Sequence, residues 1–289
     1  MEKEKHLKQI AAYIHKMPSL PTSVTKVVEI CNDPNTSPAD LNKVISIDPV
    51  LMGNVMKLIN SAYYGLSQQV TSLVRAIIML GLNTVKNLSL STAILGNLSS
   101  KKNFQAINME GFWRHSLCVG VTAKLIARHI QVDTKSLESY FIAGLLHDIG
   151  KIPLNNQFAQ EYINAMGYSD RDHQPLYKGE TMAIGLNHAE AGQLVAHAWK
   201  LGDEIKDAII YHHSTDKYEG ENRNIVFAVS AANFFSNYFE IGFSGDRYPE
   251  KLPDALLESL SIDMDWFDDI EDTVTEEIEK ARIFLKLSK

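Results

Sequence analysis

Apolar residues recur at helical spacing along most of the chain, and the intervals predict a succession of α-helices. The first is predicted over residues 2–16, where apolar positions repeat every three to four residues. Ser37 followed by Pro38 and Asp40 predicts the start of another helix. Serine caps helices, proline suits the first helical position, and an early carboxylate complements the helix dipole. The N-terminal third is therefore predicted to be helical.

The remaining periodicities predict helices over 22–31, 49–64, 73–80, 83–98, 109–130, 136–149, 188–200, 203–213 and 224–241. Gly150 is expected to be the C′ residue after the helix over 136–149. The stretch that contains Tyr162, Pro175 and Gly179 is expected to be looser. No alternating pattern is long enough to predict a sheet, so the fold class is predicted to be all-α, a helical bundle.

A short polar segment, Ser99–Asn103, suggests a subdomain boundary. The domains are predicted to be an N-terminal helical subdomain over 1–105, a helical core over 106–243 and an acidic helical tail over 244–289. In the tail, Trp266 and Phe267 are expected to dock onto the rest of the protein.

The net charge of −7 lies entirely in that tail. Eleven acidic residues and no basic one occur between Leu252 and Glu279, and four basic residues follow, so residues 1–251 are neutral. Nucleic-acid-binding domains normally carry a basic surplus, because phosphate contacts supply most of the affinity. A nucleic acid partner is therefore disfavoured, although residues 73–98 imitate a helix-turn-helix.

The composition is typical of a soluble globular protein, with 45% apolar and 22% charged residues. The charged start, Met1–His6, lacks the apolar region of a signal peptide. No segment approaches the roughly 20 apolar residues that span a bilayer. Cys31 and Cys118 both lie in apolar helical patterns, as expected for reduced thiols. A cytoplasmic protein without a membrane partner is predicted.

Candidate chemistry lies at the end of the helix predicted over 136–149, where an apolar stretch that begins at Phe141 ends in His147-Asp148. Two strong polar groups at the edge of a hydrophobic interior need partners, because leaving them unpaired is costly. One interpretation is local hydrogen bonding within the fold. The other is a metal site, since neutral imidazole and carboxylate are both natural ligands.

Five histidines at predicted helix ends favour the metal interpretation: His115, His147, His188, His212 and His213. Their separations of 32, 41, 24 and 1 residues match no zinc-finger spacing but fit inward-pointing ligands of a helical bundle. Asp148 is placed to bridge two cations, an arrangement useful in hydrolysing phosphate esters. Lys151, four residues after His147, is placed to approach a phosphate.

In this order, with Gly150-Lys151 after Asp148, these residues resemble the HD superfamily of metal-dependent phosphohydrolases, and most closely the HD-GYP phosphodiesterases. The predicted metal ligands are His115, His147, Asp148, His188, His212 and His213. Asp148 and Lys151 are the candidate catalytic residues. One or two divalent ions are expected, and iron, manganese and zinc all suit a histidine and carboxylate set without thiolate.

The upstream half resembles the HDOD domain, the HD-related output domain of bacterial signalling. The resemblance rests on Leu20-Pro21, Ile47–Leu51, Leu58–Gly65, Arg75–Ile77 and Leu80-Gly81, and it covers roughly residues 10–240. It implies a bacterial cytoplasmic signalling protein with a signalling partner and with no reaction common to the family. Asn233 stands about where the HD pattern has an aspartate, and no Gly-Tyr-Pro follows His213.

Two functions follow as hypotheses. The first is a signal-transduction output module that retains a histidine–aspartate metal site and acts without catalysis. The alternative is a metal-dependent phosphohydrolase acting on a nucleotide or cyclic dinucleotide, and whether the protein is an enzyme stays open at this point. Asn233 discriminates between them, because full catalysis usually requires the complete carboxylate set. A phosphate or nucleotide ligand is compatible with either function.

Overall fold

The computed structural model describes residues 2–17, 20–99 and 106–286. This part of the chain is helical and has no β-strand, which confirms the all-α prediction. The first six helices are α1 (Glu2–Lys16), α2 (Thr22–Cys31), α3 (Pro38–Ser46), α4 (Pro49–Ile59), α5 (Leu73–Leu80) and α6 (Leu82–Ser99).

The later helices begin beyond residue 106. They are α7 (Met109–His129), α8 (Leu137–Leu146), α9 (Lys151–Gln157), α10 (Ala159–Asp172), α11 (Leu176–Ile184), α12 (His188–Ala198), α13 (Asp203–Tyr211), α14 (Arg223–Tyr238), α15 (Asp254–Leu260), α16 (Met264–Ala281) and α17 (Ile283–Lys286).

Two of the predicted helix starts are capped by side chains, Ser37 as the sequence predicts and Asp48 as the structure adds. At α3, the Ser37 hydroxyl accepts from the Asp40 N–H, and the Asp40 carboxylate accepts from the Ser37 N–H, both at 3.2 Å. At α4, Oδ1 of Asp48 accepts from the N–H groups of Val50 and Leu51 at 3.1 and 3.0 Å. These bonds satisfy first-turn amides that have no partner within the helix.

The described residues form two compact units, each discontinuous in sequence. One comprises residues 2–17, 106–131 and 140–275, and the other comprises 20–99, 132–139 and 276–286. We call the first the histidine unit because it contains all five candidate histidines. The predicted domain limits after residues 105 and 243 stay a prediction.

In the other unit, α6 is the central helix, and both α2 and α4 pack against it. Its core is aliphatic and fully buried, formed by Val27, Leu41, Ile45, Val55, Leu58, Val85 and Leu88. Within the described residues, no single helix is both long and apolar enough to cross a membrane. Leu73–Leu80 and Leu82–Gly96 together meet that criterion, but they are bent by 115° relative to each other.

In the histidine unit, α7 is the central helix, and α14 packs along it. Helix α8 crosses α7 at backbone contact, because a Cβ atom on Gly144 would lie 2.7 Å from Cα of Gly120. The two glycines permit an approach that any larger residue would prevent. This crossing brings the end of α8, with His147, beside the turn of α7 that carries His115.

The acidic tail adds α15 and the beginning of α16 to this unit. Phe267 is fully buried, and its ring centroid lies 5.6 Å from that of Phe235 on α14. Trp266 is half-buried, and its ring lies 5.0 Å from the ring of His129. The two aromatic residues therefore contact the unit as the sequence predicts.

The expectation of a looser region after the histidine–aspartate pair is wrong, since residues 151–184 form helices α9, α10 and α11. Helix α10 turns Tyr162 and Ala165 into the core, where both are fully buried. Gly179, a residue typical of loops, lies instead inside α11. A Cβ atom there would lie 2.3 Å from the carbonyl oxygen of Ala165, so the glycine allows α10 and α11 to touch.

The prediction that Gly150 is a C′ residue is also wrong. Helix α8 ends at Leu146, and Gly150 immediately precedes α9 with right-handed dihedral angles of φ −68° and ψ −18°. A Cβ atom on Gly150 would lie 1.9 Å from the carbonyl oxygen of His188 and 2.4 Å from the amide nitrogen of Gly192. The glycine is needed because the start of α9 touches the backbone of α12.

Candidate metal centre

The candidate ligands come from four helices, at or next to one end of each. His115 lies in the second turn of α7, and His147 and Asp148 follow the last residue of α8. His188 is the first residue of α12, and His212 and His213 follow α13 directly. All six predicted ligand residues therefore lie in the histidine unit.

The Oδ2 oxygen of Asp148 faces two histidines, and we call this group the first half-site. Nε2 of His147 lies 3.4 Å from Oδ2, and Nε2 of His115 lies 3.5 Å from it. The two Nε2 atoms are 3.4 Å apart. All three side chains are buried, with at most 1% of their surface exposed.

The Oδ1 oxygen of Asp148 faces the remaining histidines, which form the second half-site. Nε2 of His188 lies 3.3 Å from Oδ1, and Nε2 of His212 lies 3.8 Å from it. His188 Nε2 is also 3.2 Å from Nε2 of His212 and 3.1 Å from Nε2 of His213. His188 and His212 are buried, whereas His213 is half-buried.

Backbone carbonyls determine which nitrogen carries the proton in two of these rings. Nδ1 of His147 lies 2.7 Å from the carbonyl oxygen of Gly144, and Nδ1 of His212 lies 3.0 Å from that of Ile209. A carbonyl oxygen only accepts hydrogen bonds, so Nδ1 must be the donor. The neutral ring then presents the lone pair of Nε2 to the centre of the site.

Side chains fix the same tautomer at two more histidines. The Ser236 hydroxyl donates its proton to the carbonyl oxygen of Ile241 at 2.9 Å, so it accepts from Nδ1 of His115 at 3.0 Å. Nδ1 of His188 donates to the Glu180 carboxylate at 2.7 Å. Four Nε2 lone pairs thus surround one carboxylate with no proton between them.

This arrangement fits metal ions. Histidine nitrogen and carboxylate oxygen bind zinc at roughly 2.0–2.2 Å, which places tetrahedral ligand atoms roughly 3.4 Å apart. The three distances in the first half-site are 3.4–3.5 Å. Those from His188 Nε2 in the second half-site are 3.1–3.3 Å. The donors and their spacing therefore suit a metal ion at either half-site.

The surroundings of Asp148 also favour a cation. Neither carboxylate oxygen accepts a hydrogen bond of regular geometry from the described residues, although buried carboxylates normally do. Lys151 forms an ion pair with Oδ2 at 2.7 Å and donates to the Ser244 hydroxyl at 3.0 Å. Burial opposes ionisation of Asp148, but the surrounding histidines and the ammonium group of Lys151 outweigh it, so the pKa of Asp148 is held well below its usual range.

We expect the metal-free protein to lose stability as the pH falls. Burial lowers the pKa of His115, His212 and His213 well below the usual histidine value, because an imidazolium ion loses its hydration there. Below about pH 6.5 the unfolded chain binds protons that the folded chain resists, at a cost of up to about 1.4 kcal/mol per group and pH unit.

The measurement is thermal unfolding of chelator-treated protein between about pH 7.5 and about pH 5. The melting temperature is expected to fall over this range, and most steeply below about pH 6.5. Substituting the exposed His197 with glutamine should leave the slope unchanged. A melting temperature independent of pH would contradict neutral histidines at the centre.

A cavity of about 140 Å³ opens beside the second half-site, lined in part by His212, His213, Asn233 and Asp246. Asn233 is 7% exposed, and its Oδ1 accepts a hydrogen bond from Asn237 at 3.2 Å. The cavity wall therefore contains the amide of Asn233 at the position where the HD pattern has a carboxylate. Asp246 supplies a different carboxyl group to the same wall.

Several residues that build the centre were not identified in the sequence. Glu180 on α11 is fully buried and accepts from the backbone N–H and Nδ1 of His188 and from the hydroxyl of Tyr162. Ser236 and Ser244 orient His115 and Lys151. The available sequence signal for Glu180 was its position eight residues before His188. The two serines have no distinctive spacing.

Comparison with known proteins identifies the family and the fold. The HDOD domain model matches residues 17–215. A crystal structure of an HDOD domain protein of unknown function from Geobacter sulfurreducens is 25% identical. The two structures align over 97% of each chain, with a TM-score of 0.74. A protein from Marinobacter aquaeolei, provisionally named a signal transduction protein, is 17% identical. The alignment covers all of this chain and 66% of the Marinobacter chain, with a TM-score of 0.73.

An uncharacterised protein from Treponema pallidum is 24% identical over 248 residues. The match covers 86% of this chain but 47% of the Treponema protein, so the chain spans about half the length of that relative.

Proposed function

The chain belongs to the HDOD family, and from this premise we propose that it is a signal-transduction output module with a functional metal centre. The observation that carries the proposal is the convergence of unprotonated Nε2 atoms on Asp148. A non-metal role would require protons or donors between these atoms, because lone pairs at such distances repel one another.

The proposed ligands are those predicted from the sequence. Asp148 and the histidines of each half-site would hold one divalent ion or two. Iron, manganese and zinc all suit imidazole and carboxylate ligands in the absence of thiolate. The bound metal supplies positive charge able to attract an anion such as a phosphate group.

The proposed output is a change in helix packing. Ligands at the ends of α7, α8, α12 and α13 would be tied together through the ions, which restricts the relative movement of these helices. A signalling protein that recognises one packing state would thereby read metal or anion occupancy. The name given to the Marinobacter protein supports a signalling role, and the partner is proposed to be another signalling protein.

Asn233 argues against efficient catalysis. Two-metal hydrolysis requires both ions to stay bound while a water position remains open. Asp148 is the carboxylate shared by both half-sites, and the position expected to supply another holds an amide. A neutral ligand weakens the hold on an ion, so we propose that the centre binds metal without robust turnover.

The alternative is a metal-dependent phosphohydrolase acting on a nucleotide or cyclic dinucleotide. A specific observation favours it: buried Lys151 lies beside Asp148, and the cavity of about 140 Å³ reaches His212 and His213. That volume suits a phosphate group with a few waters, given roughly 30 Å³ per water molecule. In this alternative, Asp148 and Lys151 are the catalytic residues.

Hydrolysis of bis(4-nitrophenyl) phosphate by metal-loaded protein separates the two functions. We expect the wild type to release less than one nitrophenol per chain, because the carboxylate set is incomplete. Asn233→Asp is expected to create turnover from none, by holding both ions more firmly. The Asn233→Asp/Asp148→Ala double variant is the control and should be inactive. Many turnovers by the wild type, abolished by Asp148→Ala, would establish the enzyme and overturn the non-catalytic module.

A further inference from the structure

The first half-site already contains a positive charge. Nζ of Lys151 lies 2.7 Å from Oδ2 of Asp148, and only 2% of the lysine side chain is exposed. The ammonium group is therefore bound to the oxygen that His115 and His147 face. A metal ion among these three donors must share Oδ2 with a cation, which repels it strongly in a buried site.

A negative charge lies behind the second half-site instead. The Glu180 carboxylate accepts from Nδ1 of His188 at 2.7 Å and from its backbone N–H at 2.8 Å. Tyr162 donates to the other carboxylate oxygen at 2.6 Å. A carboxylate behind a ligating histidine raises the basicity of the ring and strengthens its bond to metal. The first half-site has neutral acceptors in the same role, Gly144 and Ser236.

We propose that the two half-sites fill in a fixed order, with Lys151 as a built-in competitor for the second ion. This inference rests on the proposed metal-binding function. The first ion binds to His188, His212 and His213 with Oδ1 of Asp148. A second ion binds to His115 and His147 only when the lysine leaves Oδ2. Lys151 thus sets whether the protein holds one ion or two.

A second position for the Lys151 ammonium group, away from Asp148, is available within the fold. Nζ of Lys151 donates to the Ser244 hydroxyl at 3.0 Å. Ser244 lies on the segment that continues to Asp246. Asp246 lies two residues after Ser244 and is 5% exposed, so a buried carboxyl group is available beside the hydroxyl that Lys151 already binds. On release, the ammonium keeps Ser244 and pairs with Asp246. Because Asp246 lines the cavity beside His212 and His213, binding of the second ion changes the cavity wall.

Equilibrium dialysis against Mn²⁺, with metal measured by atomic absorption, tests the order of binding. We expect the wild type to bind one Mn²⁺ tightly and a second at least about tenfold more weakly. Glu180→Gln should weaken the first ion by about 10–100-fold. Lys151→Met should tighten the second ion by about tenfold or more, and Asp246→Asn should weaken it by removing the alternative partner.

The controls keep the result interpretable. Lys8→Met changes an exposed lysine and should bind Mn²⁺ as the wild type does. Lys151→Gln retains a donor for Ser244 and should tighten the second ion if Lys151→Met fails to fold. Two equally tight ions in the wild type, or unchanged binding of the second ion in Lys151 variants that fold, would overturn this inference alone. A wild type that binds no Mn²⁺ would overturn the proposed metal function as well.

Discussion

Gly150→Ala is expected to lower the melting temperature by about 10 °C or to prevent folding. The added Cβ would lie 1.9 Å from the carbonyl oxygen of His188 and 2.4 Å from the amide nitrogen of Gly192. Both are backbone atoms of α12, so no side-chain rotation relieves the overlap. Separating α9 from α12 costs roughly 3 kcal/mol or more. It also moves His188 away from Asp148.

Thermal unfolding followed by circular dichroism measures this effect. The matched control is Gly167→Ala in α10, where a Cβ atom meets nothing within 4 Å. Alanine is the better helix former by about 1 kcal/mol, so the control should be as stable as the wild type or slightly more stable. Equal melting temperatures for the two variants would contradict the close contact between α9 and α12.

Asp148→Asn is expected to abolish metal binding, with affinity falling by more than about 100-fold for each ion. Asp148 is the charged group common to both half-sites, lying 3.3–3.5 Å from His115, His147 and His188. Asparagine keeps the size of the side chain, but its neutral amide does not balance a divalent ion in a buried site.

The measurement is metal content after loading and gel filtration, alongside a circular dichroism spectrum that checks the fold. Asp172→Asn is the control, because this exposed carboxylate pairs with Arg171 at 2.6 Å and belongs to neither half-site. It should retain the metal content of the wild type. Full metal content in folded Asp148→Asn would show that the ions bind elsewhere.

The sequence predicts the helices well, and it identifies the residues that the structure brings together around Asp148, because both depend on local information. Ser37 and Asp48 cap their helices through groups two or three residues away. The histidines stand at helix ends, which are visible as breaks in the apolar periodicity. Their meeting around Asp148 follows once the helices form a bundle, and the resemblance to the HD order supplies the pairing.

The errors arise where the reason for a residue lies far along the chain. Gly150 and Gly179 suggested a helix end and a loop, yet each permits contact with another helix. Glu180 supports His188 through a buried hydrogen bond that no periodicity signals. The ion pair of Lys151 with the carboxylate three residues earlier was not identified in the sequence, and the approach of Lys151 to a phosphate stays a prediction. Such contacts depend on tertiary packing, which overrides local preference.

The central claim is that the unprotonated histidine nitrogens hold metal around Asp148. Anomalous X-ray diffraction from crystals grown with Mn²⁺ tests it most directly. The account predicts an anomalous peak within about 2.3 Å of Nε2 of His188 and of Oδ1 of Asp148. Density for water hydrogen-bonded to these atoms, with no anomalous peak among them at saturating Mn²⁺, would contradict it.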